Sequence, residues 1–250
     1  MDAAVRARTL ERFQKHRQAW NDNEALRTLY IRWYQRVREY LPTQRVGPWV
    51  EIGSGPGFAR EVIPDLELSD VVSAPWHQHE ADAEALPFAN GQVGALVLFD
   101  VFHHIPRPSR FLAEAVRVLP QGGRVVMCEP YVSVLSFPVY RWLHEEGCDF
   151  GIDPFGVAPT TGGKPFEGNQ AIPTVLLKRR SEELERRFPE LRITHIEFLA
   201  GPTYPASGGF SHGRFLPMRA WRALLTLEDH LPKPMFRLIG FRLLAVLERI

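Results

Sequence analysis

Residues Trp49 to Glu61 read "WVEIGSGPGFARE". Pro48 to Ile52 predicts a short buried strand carrying an acid, Glu51, near its end. Glycines then recur at alternate positions, Gly53, Gly55 and Gly57, and Phe58 to Ile63 predicts a short helix stopped by Pro64. A glycine loop between strand and helix lets backbone approach a ligand closely. The helix N-terminus adds free N–H groups that favour an anionic group. In an open α/β sheet this is where cofactors sit.

Two nucleotide-like cofactors compete for such a loop. A dinucleotide fold wants G-x-G-x-x-G. Gly53 and Gly55 match, but Phe58 stands in the third position and the third glycine comes one residue early. No Gly-Lys-Ser/Thr follows, which excludes a P-loop. The spacing is Glu51-x-Gly53-x-Gly55-x-Gly57. The bland alternative is a structural turn.

Outward from the loop, strand and helix signals alternate. Leu66 to Val72 predicts a second strand, and "EADAEALPF" crosses a third. "GALVLFD", Gly94 to Asp100, and "RVVMCEP" are further buried strands, separated by the amphipathic "PSRFLAEAVRVL". This alternation predicts a doubly wound α/β sheet, mostly parallel. Upstream, Leu26, Leu29, Tyr30, Trp33, Tyr34, Val37, Tyr40 and Leu41 form a helical stripe, with Asn21 and Asp22 as expected caps. Arg27, Arg32, Arg36 and Arg38 lie between and predict a solvated face; a membrane surface or acidic substrate is the alternative. Downstream, Tyr131 to Lys178 is rich in aromatics, Pro and Gly and reads as a long functional loop. A helix at Ser181–Phe188, the strand "LRITHIEFL", a helix near Leu216–Leu227 and the strand "FRLLAVLER" complete the chain. The last two strands predict an antiparallel edge.

Composition narrows the classes. The chain has 250 residues, 45% hydrophobic, and a net charge of +1. That suits one domain with a proper core and gives no basic field for nucleic acid. No apolar run approaches the ~20 residues of a membrane span. The opening "MDAAVRARTLERFQKHRQ" has no signal-like apolar region. Cys128 and Cys148 lack a disulfide or zinc pattern. A cytoplasmic protein is expected. The tail "LPKPMFRLIGFRLLAVLERI" leaves peripheral membrane contact open, against the plainer reading of a packed edge strand.

Two acids extend the cofactor reading. Asp70, at the end of the second strand, can accept hydrogen bonds from vicinal ribose hydroxyls. Asp82, in "DAEALPF", can accept from an exocyclic adenine amine. With "LFDVFHHIPRPSRFLAEAVRVLPQGGRVVM", the run Val50 to Met127 closely resembles the class I S-adenosylmethionine-dependent methyltransferases. The resemblance covers about a third of the chain. It implies a Rossmann-like, seven-stranded sheet with one antiparallel strand, and S-adenosylmethionine as cofactor. It implies that Glu51 orients the methionine end and that Gly53, Ser54, Gly55 and Gly57 line methionine and ribose. Asp70 would hold the ribose, Asp82 with Ala83 the adenine, and the backbone at Phe99 and Asp100 would face the methionine amine.

The acceptor pocket is expected from the N-terminal helices (1–45) and the insertion (131–180), flanking a core at 46–130; residues 181–250 add helices and edge strands. The insertion offers Tyr131, Tyr140, Trp142, His144, Glu145, Glu146, Asn169 and Gln170. Tyr131, Tyr140, Asn169 and Gln170 are candidate pocket residues; aromatics there equally suit a core. A hydroxyl acceptor benefits from a general base. His104, beside His103 just past the fourth strand, and His144 are the candidates, against simple packing. "HEEGCDFGID" has no recognised metal-ligand spacing, so no metal is expected. "SGGFSHGRF", Ser207 to Phe215, reads as a turn with a lesser chance of touching substrate. The expected reaction is methyl transfer to a small or medium acceptor, oxygen favoured over nitrogen or carbon. The rivals are a protein that binds S-adenosylmethionine without transferring methyl, and a nicotinamide-dependent oxidoreductase.

Overall fold

The computed structural model describes residues 2–144, 146–156 and 168–250. Two helices lead, α1 (Ala3–Asp22) and α2 (Glu24–Glu39). Seven strands follow: β1 (Trp49–Ile52), β2 (Leu66–Asp70), β3 (His79–Glu80), β4 (Ala95–Phe99), β5 (Arg124–Pro130), β6 (Leu191–Leu199) and β7 (Arg242–Arg249). They form one sheet in the order β3-β2-β1-β4-β5-β7-β6. β1 to β5 pair in parallel; β7 runs antiparallel to both β5 and β6. This is the α/β sheet with one reversed strand that the class I methyltransferase resemblance implied. The strand order turns between β1 and β4, the crevice where an open sheet takes its ligand.

The expected antiparallel edge is corrected in one respect. β7 is not at the edge: it lies between β5 and β6, and "RLLAVL" is buried on both faces. The apolar tail strand is therefore sheet interior. Among the described residues no helix is long and apolar enough to cross a membrane.

Helix α2 buries the predicted stripe, Leu26 to Val37, on one face of the sheet. Each fully buried apolar side chain of this kind contributes roughly 1.5–3 kcal/mol. Its cap is Asn23, not Asn21 or Asp22, which lie inside α1. Asn23 Oδ1 accepts the Leu26 N–H, and its Nδ2 donates to the Ser207 carbonyl at 2.8 Å. Of the α2 arginines, Arg36 pairs with Glu197 at 2.7 Å and Arg32 with Asp229, while Arg32 and Arg38 stay exposed, as a solvated face predicts. On the other face α3 (Pro108–Val118) packs Phe111, Leu112, Ala115 and Val118.

The described parts of 131–178 carry more regular structure than a long loop would. It contains α4 (Ser136–Trp142) and a helical run from Ile172 to Arg179 that ends in a π-helical turn. Ser133 and Ser136 tie the entry of α4 by mutual hydrogen bonds, which substitutes for an orthodox cap. Glu145 and residues 157–167 lie outside the described residues.

Candidate cofactor and acceptor cleft

A cleft of about 630 Å³ opens at the carboxyl ends of β1, β2 and β4. One wall is the loop after β1. Ser54 N–H donates to the Ser69 carbonyl, and Ser54 Oγ accepts the Ser69 N–H. This pins the loop to β2. Asp70 completes the joint: one carboxylate oxygen accepts the Gly55 N–H and the other the Val72 N–H, each at 3.0 Å. Burial pushes the Asp70 carboxyl up, against those two amide bonds. From outside, the Gly55 carbonyl takes hydrogen bonds from Trp76 Nε1 and His77 Nε2, each at 2.8 Å. Arg17 of α1 donates to the Pro56 carbonyl and lies over the Trp76 ring. Trp76, His77 and Arg17 carried no signal in the sequence.

Glu51 is 2% exposed. Its Oε2 faces no hydrogen-bond partner, and burial pushes its carboxyl up to about 8. An orphaned carboxyl oxygen at the head of the cleft fits a ligand that brings a donor. Gly53, Ser54, Gly55, Asp70, Phe99 and Asp100 all line the same space. Three expected residues are elsewhere. Gly57 faces β2, where a Cβ would meet Leu68 Cδ1 at 2.7 Å, so its glycine serves packing. Asp82 and Ala83 lie outside the lining of the cleft; Asp82 is exposed and caps the turn at Glu84 N–H.

The floor is a network that sequence reasoning missed. Arg242, at the start of β7, is 2% exposed and pairs with Asp100. It also donates to Tyr204 Oη at 2.8 Å, while Tyr30 Oη donates to Asp100 at 2.9 Å. Asp100 has a positive φ of 59°, so the backbone turns sharply as β4 ends. An arginine opening a buried strand was the only available signal.

The far wall comes from the turn after β4 and the insertion. Glu129 of β5 is fully buried; one oxygen accepts the N–H groups of Val101 and Phe102, the other meets His103 Nδ1 at 2.7 Å. His103 Nε2 meets Glu146 at 3.1 Å. Burial alone would lower the His103 ring; its bonds to Glu129 and Glu146 push it up to about 9. Burial would likewise raise Glu146, but His103 and the neighbouring histidines hold it down to about 2. His104 Nε2 lies 3.6 Å from the other Glu146 oxygen. Gln170 donates to Glu146 and lines the cleft, as does Tyr140, whose hydroxyl donates to the Phe241 carbonyl. His144 lines the exposed rim, its Nδ1 accepting the Glu146 N–H at 3.2 Å. Tyr131 is not brought to the cleft: it packs under the opposite face of the sheet, its hydroxyl held by Arg237 and Lys178. Asn169 braces the Asp149 loop outside the lining. The "SGGFSHGRF" stretch forms turns over 207–211, as expected, and it also lines the cleft, the lesser of the two expectations. Phe210 stacks on His16 at 4.6 Å, and Gly208 to His212 cover the opening.

Residues 50–127 match the family model described as "Methyltransferase domain". The chain is 33% identical over 88 residues to the ubiquinone/menaquinone biosynthesis C-methyltransferase UbiE of Rhizobium johnstonii, covering 35% of this chain and 33% of that protein. It is 33% identical over 115 residues to the protein of the same description from Allorhizobium ampelinum, covering 46% and 42%. The chain thus spans well under two thirds of the length of these curated relatives. A solved structure of geranyl diphosphate C-methyltransferase from Streptomyces coelicolor, with S-adenosyl-L-homocysteine bound, aligns over 90% of this chain and 81% of its own. Its TM-score is 0.50 at 13% identity, a likeness of fold.

Proposed function

We propose, from the premise that residues 50–127 form a class I methyltransferase domain, that the chain transfers a methyl group from S-adenosylmethionine to a small or medium acceptor. The observation that carries this reading is the joint between Asp70, Gly55 and the orphaned Glu51 oxygen, at the sheet's switch point. The cleft is within the roughly 300–1,000 Å³ range of cofactor sites and extends past the glycine loop to a second wall.

S-adenosylmethionine supplies an electrophilic methyl on a sulfonium. The chain's part is to bind, orient and exclude water. Glu51 and the loop amides hold the methionine end; Asp70 offers its carboxylate to the ribose. The adenine falls at the Asp70–Val72 end of the cleft, next to which the turn of Asp82 and Ala83 begins, tied there by the Ala81 N–H on the Asp70 carbonyl. Phe99 and Tyr30, with ring centroids 5.1 Å apart, give the middle of the cleft an aromatic side. Phe210 and Tyr140 close it from above and from the insertion. Such a cleft favours a flat or apolar acceptor held at near-attack distance from the methyl. Activation of the acceptor falls to the wall of His103, His104 and Glu146.

The expectation of oxygen as the methylated atom is withdrawn. The curated relatives are described as C-methyltransferases. We therefore read a carbon as the acceptor atom, one made nucleophilic by a neighbouring oxygen. Such an acceptor uses the same activating wall as a hydroxyl would.

The test is a calorimetric titration with S-adenosylmethionine, S-adenosylhomocysteine and NAD side by side. Binding of the first two, then transfer of labelled methyl to a hydroxyarene panel with the product's C–CH₃ bond read by NMR, is expected. Binding of NAD alone would transfer the chain to the oxidoreductases. Binding of S-adenosylmethionine with no methylated product from any acceptor would favour the non-methylating reading.

A further inference from the structure

His103, His104 and Glu146 each turn one ligand-type atom to a common point on the cleft wall, all within 4.8 Å of one another. Two histidine nitrogens and one carboxylate are the donor set of first-row divalent sites that keep positions open for other ligands. The spacing comes near that of a bound ion. Bonds of about 2.1 Å place neighbouring ligands of a tetrahedral or octahedral ion about 3.0–3.4 Å apart. His103 Nε2 is 3.1 Å from one Glu146 oxygen and His104 Nε2 is 3.6 Å from the other; with one ligand atom from each residue the three atoms lie within 4.8 Å, so the side chains draw in by about an ångström to take the ion.

The support behind these atoms is also that of a metal site. Glu129 meets His103 Nδ1 at 2.7 Å and is itself fixed by the Val101 and Phe102 N–H groups. A carboxylate behind a histidine orients the ring and turns Nε2 toward the ion. Gln170 fixes Glu146 in the same way. The exposed side is the cleft itself, to which all three residues contribute.

We propose that His103, His104 and Glu146 bind one divalent first-row cation in the wall of the cleft, with open positions that take an oxygen of the acceptor. The cation replaces the hydrogen bond that now joins His103 Nε2 to Glu146. The part it plays in holding the acceptor rests on the methyl-transfer reading above; its binding does not. The sequence expectation of no metal came from the spacing of "HEEGCDFGID". The cluster instead joins residues more than 40 positions apart, which no local spacing reveals.

The experiment is a titration of tag-free, chelator-stripped protein with Mn²⁺, followed by electron paramagnetic resonance, and with Zn²⁺ in competition. One Mn²⁺ per chain, displaced by Zn²⁺, is expected. Glu146→Gln and His104→Gln should each weaken binding at least tenfold while S-adenosylhomocysteine binding persists, which shows that the chain still folds. Should both variants unfold, the wild type still decides. Bound Mn²⁺ should broaden the ring resonances of His103 and His104 and leave those of His195, on β6, sharp. Mn²⁺ and Zn²⁺ binding no tighter to the wild type than to the variants, or broadening spread evenly over all histidines, overturns the proposal. Loss of S-adenosylhomocysteine binding in the wild type would count against the methyl-transfer reading alone.

Discussion

The Asp70 carboxylate accepts the Gly55 amide N–H at 3.0 Å, bridging the end of β2 and the glycine loop. Its second oxygen serves Val72, so one side chain satisfies two amides of the cleft wall. Leaving a buried donor unpaired costs roughly 1–3 kcal/mol. Asp70→Ala is therefore expected to lower stability by about 2 kcal/mol and S-adenosylhomocysteine affinity by more than tenfold. Denaturant unfolding and calorimetry check the two effects. Unchanged affinity would remove Asp70 from the site.

Gly55 sits at φ +49°, and a Cβ there would stand 3.4 Å from Phe13. Gly55→Val adds a branched side chain in a left-handed conformation, a strain of roughly 1–2 kcal/mol. The chain should keep its fold by circular dichroism and lose cofactor binding. Wild-type affinity in this variant would move the cofactor elsewhere.

Glu51 supplies a pH signature. Burial raises its carboxyl to about 8 from an ordinary 4.5. A proton kept by the folded chain contributes stability that is full below pH 4.5 and is lost as pH rises through about 8. Within that window each pH unit removes at most about 1.4 kcal/mol. Wild type should lose more stability than Glu51→Gln between pH 5 and pH 9 in urea titrations. Equal losses would mean that Glu51 is already ionised in the fold.

Arg242 and Asp100 form a pair in the floor of the cleft. Breaking such a pair strands the remaining charge and costs on the order of 3 kcal/mol. Arg242→Leu should destabilise by about that much. Adding Asp100→Asn should recover part of the loss, a coupling that a double-mutant cycle reads directly. Strict additivity of the two would show that the groups do not interact.

Phe210 covers His16 by stacking, and burial pushes the His16 ring down to about 4. Phe210→Ala opens that ring to water. The His16 titration followed by NMR should move up toward 6.5, its ordinary value. An unmoved titration would mean that another group buries the ring.

Much of the fold was legible because it rests on periodic local signals. The stripe of α2, the apolar runs of β4 and β5 and the glycine loop each declare themselves within a dozen residues. Glu51, Gly53, Gly55 and Asp70 could be placed because their positions at strand ends follow from those runs. What stayed hidden depends on contacts between distant segments. Arg242 meets Asp100 only because β7 inserts beside β5. Trp76 and His77 support Gly55 through a loop with no regular pattern. Tyr131 was misread because its aromatic character fits either face of a sheet, and only the register of β5 decides which. Glu129 could have been suspected, since an acid inside a buried strand needs partners.

The position of β7 has a consequence for synthesis. During translation β1 to β5 emerge before β6 and β7, and a sheet of those five strands alone would leave β5 with a bare edge of backbone amides and carbonyls. β6 follows some 60 residues later but has no place beside β5; its register is set wholly by β7. Until β7 is made, the nascent chain carries open strand edges of the kind that invite wrong pairing. Phe241 and Arg242 arrive with β7 and line the cleft. A ribosome-bound chain that has formed the glycine loop therefore still lacks the floor of its site.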